Sequence, residues 1–197
     1  TIYHEHYSYL SLISVQKIFE KNGLKVFDVE ELSTHGGSLR IYAQRIDSGK
    51  YEKTQNVISL EEKEIKMGLQ DINFYQGFQN RIEKIKNDLL KFLISANSQN
   101  KIVVGYGAAA KGSTMINFAG IRQDLLSYVV DKNPAKIGKY MPGSRIPIVD
   151  IDNLTLTKPA YILILPWNLQ EEVINQLKFI RGWGGKFIIS TPEFKIL

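Results

Sequence analysis

The chain has no cysteine among its 197 residues, which excludes a disulfide framework and a thiolate metal site within it. Histidine is almost as scarce. The three present are His4, His6 and His35, and a metal centre built on His4 or His6 would need His35 or Glu5 as a further ligand. No apolar run is long enough to span a bilayer, and no secretory pattern opens the chain, so the expected compartment is the cytoplasm with no membrane partner. Charge of one sign is never blocked. The net charge of +5 comes from scattered lysines; it suits a small anionic ligand as well as nucleic acid, but with no nucleic-acid motif present a nucleic-acid partner is not expected. A Walker A loop is also missing, because the order is Lys111-Gly112-Ser113 rather than Gly-Lys-Ser/Thr. The chain opens at Thr1, without Met, directly on a motif, which suggests a piece of something longer.

What is present is a globular composition, 44% hydrophobic, enough for a core in one domain or in one domain with an appendage. Val15, Ile18 and Phe19 recur at helical spacing over 11–22, and Gly23 stands where a C-terminal cap belongs. Residues 24–30 and 38–45 alternate like strands, with Thr34-His35-Gly36-Gly37 between them. Residues 47–56 are polar and read as a linker. Ser59-Leu-Glu-Glu62 has the form of a capping box. The apolar stripe Ile65, Leu69, Ile72, Tyr75, Phe78, Ile82, Ile85, Leu89, Phe92 and Ala96 predicts a long amphipathic helix over 60–97, about 55 Å if unbroken, with Gly68 and Gly77 as possible breaks. From 101 onward short apolar runs at 101–106, 126–131, 160–165 and 186–190 alternate with helical patterns at 110–119 and 169–181. Runs that are apolar throughout are what a parallel sheet buried on both faces requires. The predicted class is therefore α/β: a Rossmann-like, mainly parallel sheet with flanking helices, preceded by a helix, two strands and the long helix.

The run Lys101-Ile-Val-Val-Gly-Tyr-Gly-Ala-Ala-Ala-Lys-Gly112 joins the first of these strands to its helix. Gly105, Gly107 and Ala110 fit the G-x-G-x-x-G/A spacing of a phosphate loop. In that reading Gly105 permits the turn, Gly107 lets a phosphate approach the backbone, Ala110 packs close to the strand, and Lys111 adds charge at a helix start. Read without a ligand, the same residues make a tight strand–helix turn. Asp131 ends the second strand, where an acid can take ribose hydroxyls or simply cap the Asn133-Pro134 turn. Tyr106 and Trp167, the latter in Pro166-Trp167-Asn168 at a strand end, can stack on a ring or pack on the core. Arg40 and Arg145 can meet phosphate, though exposure is the commoner state. His35-Gly36-Gly37 can line a site or form a turn with positive φ.

Tyr3-His4-Glu5-His6 places four functional side chains in four positions. A histidine titrating near neutrality can take a proton from an activated carbon. A carboxylate can orient it, and a tyrosine can donate to a developing oxyanion. Read alone, the segment is equally a surface loop.

Residues 2–10, 23–30 and 35–42, together with Gly105–Gly112, Val130–Pro134 and Pro142–Pro147, closely resemble the sugar C-methyltransferases that build branched deoxysugars, over essentially the whole chain and in order. The resemblance implies a zinc-binding N-terminal region, a middle S-adenosylmethionine domain and a C-terminal Rossmann-like domain. This chain would begin late in that arrangement: residues 1–56 would be the tail end of the methyltransferase domain, and 57–197 the long helix with the C-terminal domain. Zinc and most of the S-adenosylmethionine site would belong to the missing N-terminal domains of the same protein. The implied reaction is methylation of a carbon beside a ketone on a nucleotide-linked keto-sugar. His6 matches the base, Tyr3 and Glu5 match supporting positions, and His4 is the second choice. No metal is needed for transfer. Gly105, Tyr106, Gly107, Ala108, Lys111, Asp131 and Trp167 would hold the nucleotide sugar. The fragment alone would be inactive, and a dimer is possible. Two other readings stand beside this one: a non-catalytic Rossmann-like domain binding a nucleotide or nucleotide sugar, and an NAD-dependent oxidoreductase with Asp131 on the ribose.

Overall fold

A computed structural model describes residues 6–197, and the chain forms two compact units, divided in sequence between Gln79 and Asn80. In the first unit, the Ser11 hydroxyl accepts from the Ser14 N–H and caps α1 (Leu12–Lys21), and Gly23, at φ +74°, turns the chain out of it. β1 (Leu24–Leu32) and β2 (Ser38–Arg45) pair antiparallel, with Val29 opposite Ile41 and a bulge between Val26 and Asp28. A 3₁₀ turn joins them. Within it His35, Gly36 and Gly37 have φ of 57°, 87° and 121°, so turn geometry accounts for the His-Gly-Gly run, and His35 is exposed.

α2 (Gln55–Met67) follows. It begins ahead of the expected capping box, and Ser59 lies inside it. Tertiary contacts set this start: the Asp28 carboxylate accepts from the Thr54 hydroxyl (2.6 Å) and the Asn56 amide (3.1 Å), while the Thr54 N–H donates to Phe27 O. The single long helix is divided at both glycines. Gly68, at φ +82°, ends α2; the Asp71 side chain caps α3 (Ile72–Gln76); and α4 (Phe78–Ser98) begins after Gly77. The apolar stripe divides with it. Leu89 and Ala96 are buried, whereas Ile65, Ile72, Tyr75 and Phe78 are exposed.

Leu12, Val26, Val29, Val57 and Leu60 form this unit's core. Beside it, the buried Glu64 of α2 accepts from the Leu12 N–H at 2.7 Å and the Ile13 N–H at 2.9 Å. A carboxylate thus satisfies two of the donors that a helix start leaves without intrahelical partners, and it opposes the positive end of the helix dipole.

The second unit is a six-stranded sheet in the order β5-β4-β3-β6-β7-β8. Its strands are β3 (Val103–Tyr106), β4 (Val129–Val130), β5 (Ile148–Val149), β6 (Tyr161–Ile164), β7 (Lys186–Ile189) and β8 (Lys195–Ile196). All pair parallel except β8, which runs antiparallel to β7. Alternate residues of β3 enter different cores, Val103 with Leu93, Ile116 and Leu163, and Val104 with Ile162, Leu177 and Phe187. That is the doubly covered, Rossmann-like α/β sheet the apolar runs predict. α5 (Ala110–Ala119) has the predicted bounds. The predicted helix over 169–181 breaks into a 3₁₀ turn, α7 (Gln170–Gln176) and a second 3₁₀ turn, following the short α6 (Asn153–Thr157). β5 and β8 are two residues long and leave no periodic signal. No helix among the described residues is long and apolar enough to cross a membrane.

Replacing Glu64 by Ala orphans two backbone N–H groups in a buried setting. The first unit should lose about 1–3 kcal/mol for each donor that water does not reach, read as a lower midpoint in urea unfolding followed by far-ultraviolet circular dichroism. An unchanged midpoint would show that the carboxylate does not stabilise α1.

Candidate functional site

β3 lies between β4, which follows it in the chain, and β6, which arrives after two further strands. The strand order therefore reverses between β3 and β6, and their carboxyl ends open the kind of crevice in which α/β sheets hold ligands. Two connections border it: Gly107–Ala109 leading into α5, and Leu165–Asn168 after β6.

Three glycines in and around the first connection are required by packing. Gly105 is buried within β3, and a Cβ there would stand 2.9 Å from Val129 Cγ2. Gly107 has φ +84°, and its absent Cβ would lie 2.7 Å from the Pro166 ring. Gly112 supplies the close helix–strand approach expected of Ala110, since a Cβ there would lie 2.7 Å from Leu165 Cβ, while Ala110 itself is exposed. The turn expected at Gly105 falls at Gly107, and the space expected to admit a phosphate at Gly107 holds the Pro166 ring.

Tyr106 does not offer a stacking face. Its ring is buried in the core with Val104 and Val173, and its hydroxyl donates to Gln176 Oε1 at 2.6 Å. Burial, then the negative charges of Asp131 and Glu172, push its pKa up. The inward side chain follows from strand alternation, which puts Tyr106 on the same face as Val104.

Asp131 is an internal hub. Its Oδ2 accepts from the Ala108 N–H at 2.7 Å and from Lys136 Nζ at 3.1 Å, and its Oδ1 accepts from the Asn133 N–H at 2.8 Å. Lys136 also donates to Ala108 O at 2.9 Å. Burial pushes the carboxyl pKa up, but the hydrogen bonds from the Asn133 N–H, Lys136 and the Ala108 N–H, with the Lys136 charge, outweigh it and leave the pKa below its ordinary value. The turn-capping role is realised, and a carboxylate already occupies an N–H of the glycine-rich loop. Lys136 carried no sequence signal, because its role depends on a contact with Ala108 across 28 positions.

Lys111 and Trp167 come together across the crevice. Lys111 Nζ lies 5.3 Å from the Trp167 ring centroid and 3.5 Å from Asn168 Oδ1. Both side chains are half-buried, and burial lowers the Lys111 pKa. An ammonium on an indole face is worth about 0.5–1 kcal/mol where water still reaches it.

In the first unit, His6 is exposed, with its ring centroid 5.5 Å from that of Tyr9. Tyr3, His4 and Glu5 lie outside the described residues. Arg40 pairs with Glu30 at 2.9 Å, and Arg145 is exposed at φ 58°. Among the described residues, no three His, Asp or Glu side chains group closely enough to hold a metal ion.

Replacing Asp131 by Asn removes the Lys136 charge pair and sets an amide N–H₂ against another donor. At neutral pH this should cost about 1–3 kcal/mol. The carboxyl pKa is depressed in the folded state, so its contribution is present above the ordinary value of 3.8 and is lost as pH falls through the lower folded value. Urea unfolding of the two proteins at pH 7 and near pH 3 should show the gap narrowing in acid. A gap independent of pH would mean that the ionised form contributes nothing.

Comparison with known proteins bears on what this arrangement serves. The C-methyltransferase NovU of Streptomyces niveus is 34% identical over 197 residues, covering 100% of this chain and 47% of the relative. The chain thus spans about half the length of the curated relative it matches. The family described as C-methyltransferase C-terminal domain matches residues 33–192, the larger part of the chain, and the chain belongs to that family.

Proposed function

We propose that this chain is the C-terminal part of an S-adenosylmethionine-dependent C-methyltransferase that methylates a carbon alpha to a ketone on a nucleotide-linked keto-sugar. The observation that carries this reading is the match to a C-methyltransferase over the whole of this chain, 34% identical across 197 residues. S-adenosylmethionine, when bound, supplies a methyl group made electrophilic by its positively charged sulfur. The glycine-rich loop of this chain does not suit that cofactor, because the Asp131 carboxylate holds the Ala108 N–H and the Pro166 ring fills the space beside Gly107. The cofactor's site is assigned to the part of the protein corresponding to the other half of the relative.

In this reading His6 acts on the substrate. Its neutral imidazole removes the proton alpha to the ketone, the electron pair passes onto the carbonyl as an enolate, and the enolate carbon becomes the nucleophile. Tyr3 donates to the enolate oxygen, and Glu5 orients His6 or a sugar hydroxyl. Lys111 and Trp167 hold the nucleotide part of the substrate. The same loop argues against NAD-dependent chemistry, since Asp131, the acid that would take the ribose, is committed to Ala108, Asn133 and Lys136.

In the full-length protein, His6→Ala should lower methyl transfer from labelled S-adenosylmethionine by about 10²–10⁴-fold, the usual contribution of a positioned base. Substrate affinity should hold within a few-fold. Turnover near the parent rate would remove His6 as the base.

A further inference from the structure

His6, the base in the reading above, stands in a segment without regular structure. Residues 6–11 form neither helix nor strand, and His6, Tyr9 and Leu10 are exposed. A general base has to present one ring nitrogen to one carbon, so the orientation of its imidazole sets how often the two meet productively. Two features of the first unit bear on that orientation. One is an anchor just beyond the segment. The Ser11 hydroxyl accepts from the Ser14 N–H, the buried Glu64 carboxylate takes the Leu12 and Ile13 N–H groups, and Leu12 is fully buried. The backbone is therefore held from Ser11 onward, five positions from His6 but only two from Tyr9. The other is a ring contact. The His6 and Tyr9 centroids lie 5.5 Å apart with the planes inclined at 56°, inside the range over which aromatic rings attract. A regular strand would send residues three apart to opposite faces. That these two rings meet is a property of the path the chain takes into α1.

We infer that Tyr9 is a positioning residue for methyl transfer: its ring, set by the anchored start of α1, holds the His6 imidazole in the orientation in which it takes the proton. This rests on His6 as the base and deepens that reading. The proton passes from the alpha carbon to a ring nitrogen of His6, and Tyr9 acts through His6 rather than on the substrate. What matters is the aromatic ring and not its hydroxyl, since the contact is between ring and ring. An exposed side chain samples several staggered rotamers, and a neighbouring ring favours the one in which the two meet. The tyrosine is the suitable partner because it sits at the fixed end of the segment and the histidine at the far end.

The test is a double-mutant cycle in the full-length protein, read as methyl transfer from labelled S-adenosylmethionine to a thymidine diphosphate-linked keto-sugar. Tyr9→Leu should lower kcat about 2–10-fold, the bias that one aromatic contact supports. KM for both substrates should stay within twofold, which also shows that the variant is folded. Tyr9→Phe, which keeps the ring, should recover most of the loss. In the His6→Ala background Tyr9→Leu should have no further effect, because no imidazole is left to hold. Release of the sugar's alpha proton into deuterated solvent reads the base alone, and it should slow in step with kcat. Parent-level kcat in Tyr9→Leu, a change confined to KM, an equal loss in Tyr9→Phe, a loss that persists beside His6→Ala, or alpha-proton release at the parent rate would each overturn the inference and leave His6 as the base. Turnover of His6→Ala near the parent rate, or a parent that transfers no methyl group to the sugar, would instead remove the reading on which it rests.

Discussion

The Asp131 carboxylate is the constraint around which the second unit's functional edge is arranged. Three donors from separate segments converge on it: the Ala108 N–H of the glycine-rich loop, the Asn133 N–H of the turn after β4, and the Lys136 ammonium group. Each is a hydrogen bond to a charged group in a poorly solvated place, the kind worth most to stability. Together they tie the carboxyl ends of β3 and β4 and commit the loop to one conformation. The Ala108 N–H is thereby taken up inside the protein, while Lys111 and Trp167 meet on the other side, between α5 and the segment after β6.

Close packing reinforces that arrangement. Gly105, Gly107 and Gly112 stand where a methyl group would meet Val129, Pro166 and Leu165. Two of these contacts come from the single segment Leu165–Pro166 after β6, so the connection bearing Trp167 is held against the loop bearing Lys111. The ammonium–indole pair is thus a product of backbone approach rather than of sequence proximity. In the first unit Glu64 plays a comparable part, holding the start of α1 from a position on α2. In both units a carboxylate on backbone N–H groups fixes a helix or a loop at a long sequence interval.

Much of this was legible in the sequence. The bounds of α5, the pair β1 and β2, the parallel strands and the cap at Gly23 follow from local patterns, because each rests on propensity or apolar periodicity within a few residues. Periodicity failed over 60–97 because an apolar stripe keeps its phase across a break. It is Gly68 in the left-handed region and the Asp71 cap that interrupt the backbone. Ser59 resembled a helix start, but Asp28 reaches across 26 positions to hold Thr54 there instead. Tyr106 read as a ligand-facing ring because it sits inside the glycine motif, yet its alternation with Val104 turns it into the core.

The sequence by itself determined the α/β class, the strand–turn–helix at 101–119 and the family, since the motifs that carry the resemblance are local strings of residues. Only the tertiary structure decided which of those residues are taken up by packing and internal bonds. Gly107 and Ala108 were drawn into packing and an internal carboxylate, and Lys111 was paired with Trp167 across 56 positions of chain. The physical reason is that a donor, a charge or a cavity has no fixed meaning until its neighbours are known. An N–H that reads as an anion site becomes a structural bond once an acid from another strand arrives first.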